Sequence, residues 1–151
     1  MPLCLLLMAF VTSGRPADVS GSWELMAEWT DARSNVQWGA SHDAIEEFLK
    51  PQDHIVIMQR ESAVMIVDDD GRSQQYSTGG VTEHRCWERG CVPAKTRWEH
   101  QVLRQSFALV DGVTLDETYS RPARNRLEIT MVVGGSLDRR LVSRRVYALI
   151  E

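Results

Sequence analysis

A chain of 151 residues is long enough for one domain with its own core and too short for two ordinary ones. With 43% hydrophobic and 25% charged residues it has the balance of a globular protein, which excludes a disordered chain, a collagen-like repeat and a multi-pass membrane protein. The 21 acidic residues outnumber the 17 basic ones, so the net charge of −4 gives no electrostatic footprint for nucleic acid. Three cysteines are too few for a miniprotein built on disulfides.

The first element in chain order is an apolar run at 3–11, Leu-Cys-Leu-Leu-Leu-Met-Ala-Phe-Val. It is less than half of the roughly 20 residues that a membrane-spanning helix needs. Thr12, Ser13 and Gly14 follow, small residues that suit a signal peptidase, and Pro16 stops any helix. The expectation is a secretory signal peptide at 1–14, cleaved near Ser13 or Gly14, and a domain at 18–151 that is periplasmic or secreted. No integral membrane segment remains after cleavage. No Lys or Arg precedes the run, so the amino terminus alone charges its flank. Cys4 stands ahead of the run rather than behind it, which disfavours a lipoprotein signal. The alternative is a buried N-terminal strand or helix.

From residue 18 onward the dominant period is two. Trp23, Leu25, Ala27 and Trp29 alternate with Ser22, Glu24, Met26 and Glu28, the mark of a strand with one apolar face. Further strands are expected at 54–60, 63–68, 73–77, 81–86, 94–100, 102–110, 113–120, 127–133 and 141–150. Asp69-Asp70-Gly71-Arg72 is the clearest tight turn, and Gly79-Gly80, Asp111-Gly112, 121–126 and 134–138 supply others. One segment departs from this period. At 42–50, Ile45, Phe48 and Leu49 recur at helical spacing between a possible cap, Ser41, and a stop, Pro51, which predicts a short helix. Ten candidate strands with short links after residue 61 read as an antiparallel meander. A barrel of eight to ten strands removes the exposed edges such a meander would leave. A two-sheet sandwich is the competing architecture, though it needs longer crossing connections.

In an exported chain Cys4 leaves with the signal, and Cys86 and Cys91 remain. An oxidising compartment favours their pairing across the end of a hairpin, with a loop so short that the stabilisation is about 2 kcal/mol. The spacing is not that of a thioredoxin-like redox pair.

These strands and turns follow a known pattern. Val19-Ser20-Gly21-Ser22-Trp23-Glu24-Leu25 looks like an opening strand. Ile55-Val56-Ile57, Ala63-Val64-Met65-Ile66 and Asp70-Gly71-Arg72 form a second stretch. The third runs through Lys95-Thr96-Arg97-Trp98, Leu115-Asp116-Glu117-Thr118-Tyr119 and Leu127-Glu128-Ile129-Thr130 to Arg144-Arg145-Val146-Tyr147. Together they resemble small secreted bacterial proteins with a lipocalin-like β-barrel. The insert at 31–52 and the loop between the cysteines depart from that pattern. The resemblance implies a fold and an apolar pocket but no activity.

Signatures for dinucleotides, phosphate loops, zinc proteases and serine hydrolases are absent from the sequence. A calcium loop begun at Asp68 would put Gly79 where it needs a Glu, so Asp68-Asp69-Asp70-Gly71 reads as a solvated turn. His84, Cys86, Cys91 and His100 form an alternative zinc set, though not with knuckle spacing. Glu24, Glu99 and Glu117 sit on expected strands and could face inward as a catalytic pair. No metal or other cofactor is implied.

Polar residues on late strands, Arg97, Glu117, Thr118, Arg144 and Arg145, could turn inward as an Arg–Glu clamp or as groups that orient a ligand. Trp23 and Trp98 read as core, and Trp38 and Trp87 as exposed or lining a barrel mouth. The candidate ligand-binding set is Trp23, Arg97, Trp98, Glu117, Tyr119, Arg145 and Tyr147. The expected function is noncatalytic binding of a small apolar or amphipathic ligand. The alternatives are an enzyme using polar groups inside the barrel, or a ligand-free module acting through its rim or the insert.

Overall fold

The computed structural model describes residues 16–31, 39–137 and 140–150. The expected signal peptide and Trp38 lie outside the described residues. Ten strands and one α-helix follow in chain order: β1 (Gly21–Thr30), α1 (His42–Leu49), β2 (His54–Gln59), β3 (Ala63–Val67), β4 (Ser73–Ser77), β5 (Gly79–Trp87), β6 (Gly90–Glu99), β7 (Val102–Ala108), β8 (Val113–Ala123), β9 (Arg126–Gly135) and β10 (Leu141–Leu149). All ten belong to one sheet in the order β4-β3-β2-β1-β10-β9-β8-β7-β6-β5. Each neighbour is also a neighbour in sequence except β1 and β10, whose antiparallel pairing (Trp23 with Leu149, Leu25 with Tyr147) brings the first and last strands together. The architecture is the expected antiparallel meander barrel and not the two-sheet sandwich.

Closure is incomplete. β4 and β5 follow one another in the chain yet are the two ends of the sheet order, so they are not paired. Side chains bridge them instead: Gln74 Nε2 donates to the Cys86 carbonyl at 2.6 Å, and the Ser77 amide donates to Glu83 Oε2 at 2.9 Å. Gly79-Gly80 does not end a strand as expected. It opens β5, with a register irregularity between Gly79 and Thr82. Likewise β8 continues to Ala123, so the 121–126 turn shrinks to Arg124 and Asn125.

Alternation decides which side chains meet inside. On β8 Val113, Leu115, Glu117 and Tyr119 are buried, and on β9 Leu127, Ile129, Met131 and Val133 are. Residues on the other phase face water and make ion pairs, such as Arg104 with Asp116 at 3.1 Å and Arg126 with Glu128 at 2.7 Å. Gly135 is required where it stands. Its φ is +76°, and a Cβ there would lie 2.3 Å from the Gly112 carbonyl oxygen.

The register puts the β3–β4, β5–β6 and β7–β8 turns at the same end of the barrel as the C-terminal end of β1. Helix α1 sits at that end. Its Glu47 pairs with Arg72 of the β3–β4 turn at 3.2 Å, and its Asp43 with Arg89 of the β5–β6 turn at 4.0 Å. Ile45 and Phe48 are buried in the core. The helix ends at Leu49 because Lys50, ahead of Pro51, takes extended backbone. Ser41 makes no side-chain cap bond, and its hydroxyl donates to the Val110 carbonyl at 3.1 Å instead.

Cys86 and Cys91 are directly opposed across the β5–β6 hairpin and joined by a disulfide. The bond uses both sulfurs, which removes them from the alternative zinc set. Replacing both cysteines by serine should lower the unfolding free energy by ~2 kcal/mol, as the short loop implies. Parallel urea titrations of the two proteins check this.

Candidate functional site

Most buried side chains are apolar, and a connected polar cluster lies among them. Arg85 Nη1 donates to both carboxylate oxygens of Glu117, at 3.3 and 3.2 Å. The Tyr119 hydroxyl lies 2.8 Å from Glu117 Oε2 and 3.3 Å from Gln105 Oε1, and its single proton goes to the nearer, charged acceptor. Gln105 Nε2 donates to Thr96 Oγ1 at 3.0 Å. Beside this chain the Tyr76 hydroxyl donates to Gln74 Oε1 at 2.5 Å. The Arg85 guanidinium lies 4.3 Å from the Phe48 ring centroid and 5.3 Å from that of Phe107, a cation held against two aromatic faces. Its side chain is 29% exposed while that of Glu117 is 5% exposed, so the pair runs from the interior toward the gap. A void of 40 Å³ lies behind the gap, bounded by Ile66, Gln74, Tyr76, Arg85, Gln105 and Tyr119 and by Asp68 and Arg72 at its rim.

Burial lowers the Arg85 pKa, but Glu117 and the neighbouring phenols outweigh it, and the guanidinium pKa lies above its ordinary value. Burial, reinforced by Glu117, pushes the Tyr119 and Tyr76 hydroxyls up, against the opposing pull of Arg85. Burial likewise raises Tyr147 to about 12, against the opposing pull of Arg145. These are all three tyrosines of the chain. A raised pKa means that the unfolded state ionises first. The associated stability is therefore complete below pH ~10 and is lost as pH rises toward the folded values. Phenolate absorbance should stay absent just above pH 10 and then appear cooperatively with loss of the β-sheet circular dichroism. Gradual titration of one tyrosine near pH 10 in the folded protein would contradict this burial.

A second polar contact holds the helix. The last carbonyls of a helix lack intrahelical donors and carry its negative dipole end. Here Arg145 Nη2 donates to the carbonyls of Leu49 at 2.7 Å and Phe48 at 3.4 Å. The Tyr147 hydroxyl donates to the Gln52 carbonyl at 3.0 Å just beyond. Arg145 Nε is buried without a hydrogen-bond partner, 3.7 Å from Glu28 Oε1.

The candidate set therefore divides. Glu117 and Tyr119 belong to the polar cluster, while Arg145 and Tyr147 hold the helix from β10. Trp23 lies in the core at the far end of the barrel, where its indole N–H donates to the Val19 carbonyl at 3.2 Å and Arg121 covers its ring. Trp98 is partly buried against the core. Arg97 does not turn inward. Adjacent to Trp98 on one strand it must take the opposite face, where it pairs with Glu99 at 2.7 Å in solvent. Thr118 and Arg144 face outward by the same alternation, and Arg144 bonds Glu128. Glu24 and Glu99 are also on the outer face, so of the three carboxylates singled out in the sequence only Glu117 turns inward. Trp87, expected to be exposed or to line the barrel mouth, is half-buried at the β5–β6 turn, edge-on to Phe48 with its ring centroid 6.5 Å away. Sequence reasoning missed Arg85, Gln105 and Thr96.

A ten-stranded, nearly closed barrel with one short helix is the fold of lipocalin-like and fatty-acid-binding-protein-like proteins, and solved structures match the chain on that ground. Human cRBP IV superposes with a TM-score of 0.60 at 16% identity, covering 89% of this chain and 100% of that one. The fatty acid-binding protein from brain tissue of Drosophila melanogaster gives 0.54 at 11% identity, over 84% of this chain and 95% of that one. The zebrafish ileal bile acid-binding protein complexed with cholic acid gives 0.54 at 12% identity, over 87% and 98%. Identities this low show the fold alone. No family model and no curated protein matches the chain.

Proposed function

We propose that this chain is an exported, noncatalytic binding protein that takes a small amphipathic ligand into its barrel. The observation that carries the reading is the interior itself, a largely apolar wall bearing a connected polar cluster behind the break between β4 and β5. Such sites combine apolar lining with a few placed polar groups. The names of the structural neighbours, fatty acid-binding and bile acid-binding proteins, support the same use of the fold. The export part rests on the apolar run at 3–11.

The void of 40 Å³ is far below the roughly 300 Å³ of a small-molecule site. Binding therefore requires expansion, and α1, which puts Phe48 against Arg85 and Phe107, is the element to displace. That small void also favours a second reading, a filled barrel that acts through its rim. Nile red, an uncharged dye that brightens in apolar surroundings, separates the two. Saturable uptake of one dye per chain with a blue shift is the expected result. Its absence, with the protein folded, would leave the filled barrel.

A further inference from the structure

We propose that the barrel selects an uncharged head group, and that Glu117 is the residue that excludes carboxylates. The inference deepens the binding reading and rests on it.

Five charged strand residues have register partners on the interior phase among the described residues: Glu28, Glu83, Arg85, Glu117 and Arg145. Three are carboxylates and two are guanidiniums, so the interior offers no surplus of positive charge. Each cation already has a carboxylate. Arg85 has Glu117 at 3.2 Å, and Arg145 has Glu28 at 3.7 Å and two helix carbonyls. At the rim of the void Arg72 is likewise shared among Asp68, Asp70 and Glu47.

A ligand carboxylate entering beside Tyr119 and Gln105 would have to displace Glu117 from Arg85 or sit next to it. Either outcome puts like charges together in a poorly hydrated space, which disfavours the acid. Nothing in the cluster would compensate. The Tyr76 and Tyr119 hydroxyls stay protonated because burial opposes their ionisation. Of the groups that border the void, Arg85, Arg72 and Asp68 are charged and already paired, while Gln74, Tyr76, Gln105 and Tyr119 are neutral and can both donate and accept. They suit a hydroxyl, an amide or an ester at the end of an apolar chain. The occupant is therefore a neutral amphiphile, and the barrel rejects the corresponding acid.

The test uses one matched pair, dodecan-1-ol and dodecanoate, each displacing Nile red from the full chain at a pH where the acid is ionised. The alcohol should displace the dye at a concentration on the order of ten-fold lower than the acid. In E117Q, which leaves Arg85 without its carboxylate, the order should reverse. The double variant R85Q/E117Q removes both charges and should narrow the gap between alcohol and acid; if E117Q does not fold, an undiminished gap in the folded double variant overturns charge selection. Dodecanoate equal to or ahead of the alcohol in the wild type, or an unchanged order in a folded E117Q, would overturn charge selection and leave the binding reading standing. No uptake of Nile red by the folded protein would overturn both.

Discussion

Arg145→Met should lower the unfolding free energy by about 3 kcal/mol and speed Nile red uptake several-fold. The two effects share one cause. The Arg145 side chain is 6% exposed, so its loss is not made good by water. Its departure strands the Leu49 and Phe48 carbonyls at the end of α1 and leaves Glu28 without its cation. Glu28 is itself 24% exposed, which holds the cost to the lower end of the range for a broken buried pair. Methionine fills much of the vacated volume, so the deficit is one of hydrogen bonds and charge rather than packing. The freed helix end then uncovers the barrel more often. Urea unfolding measures the first effect and stopped-flow fluorescence the second. Lower stability with an unchanged uptake rate would mean that the dye does not enter past α1.

Trp23→Ala should cost ~3–5 kcal/mol, while Trp29→Ala on the same strand should stay within about 0.5 kcal/mol. Trp23 is fully buried and Trp29 is 56% exposed. The Trp23 ring fills the end of the barrel away from α1, and its N–H fixes the Val19 carbonyl. Arg121 spans its face, with the centroid 5.1 Å away, and donates to the carbonyls of Asp18, Ser20 and Arg124. One indole thus joins the entry to β1 with the β8–β9 turn. Alanine leaves a cavity that the surrounding strands cannot collapse into without breaking register. Guanidinium titrations of the two variants, with equal slopes, would establish the contrast.

The strands were legible because one face of each is buried, and burial writes a period of two into the sequence. The helix was legible from three apolar residues at helical spacing and a following proline. Legibility failed where neither phase was clearly apolar. In β5, Glu83, Arg85 and Trp87 alternate with Thr82, His84 and Cys86, and nothing local shows which set turns inward. Arg85 was missed for that reason. Gln105 and Thr96 were readable. Gln105 shares the phase of Leu103 and Phe107, and Thr96 that of Ala94 and Trp98, so each is a polar residue on an apolar face. The same rule forbids Arg97 and Trp98 from facing one pocket. The break between β4 and β5 had no local signal, because it depends on how the whole sheet curls. The hold of Arg145 on α1 joins residues nearly one hundred positions apart and follows only from the tertiary arrangement.

The partnership of the first strand with the last has a consequence for synthesis. Until β10 has left the ribosome, β1 can pair only with β2, and β9 only with β8. Both carry an open row of amides and carbonyls on the other side, the kind of edge that recruits foreign strands. Loop closure over such a separation is slow compared with hairpin formation. The nascent chain is therefore most vulnerable to aggregation in the interval just before its final strand appears, and most dependent then on whatever keeps unfinished polypeptides apart.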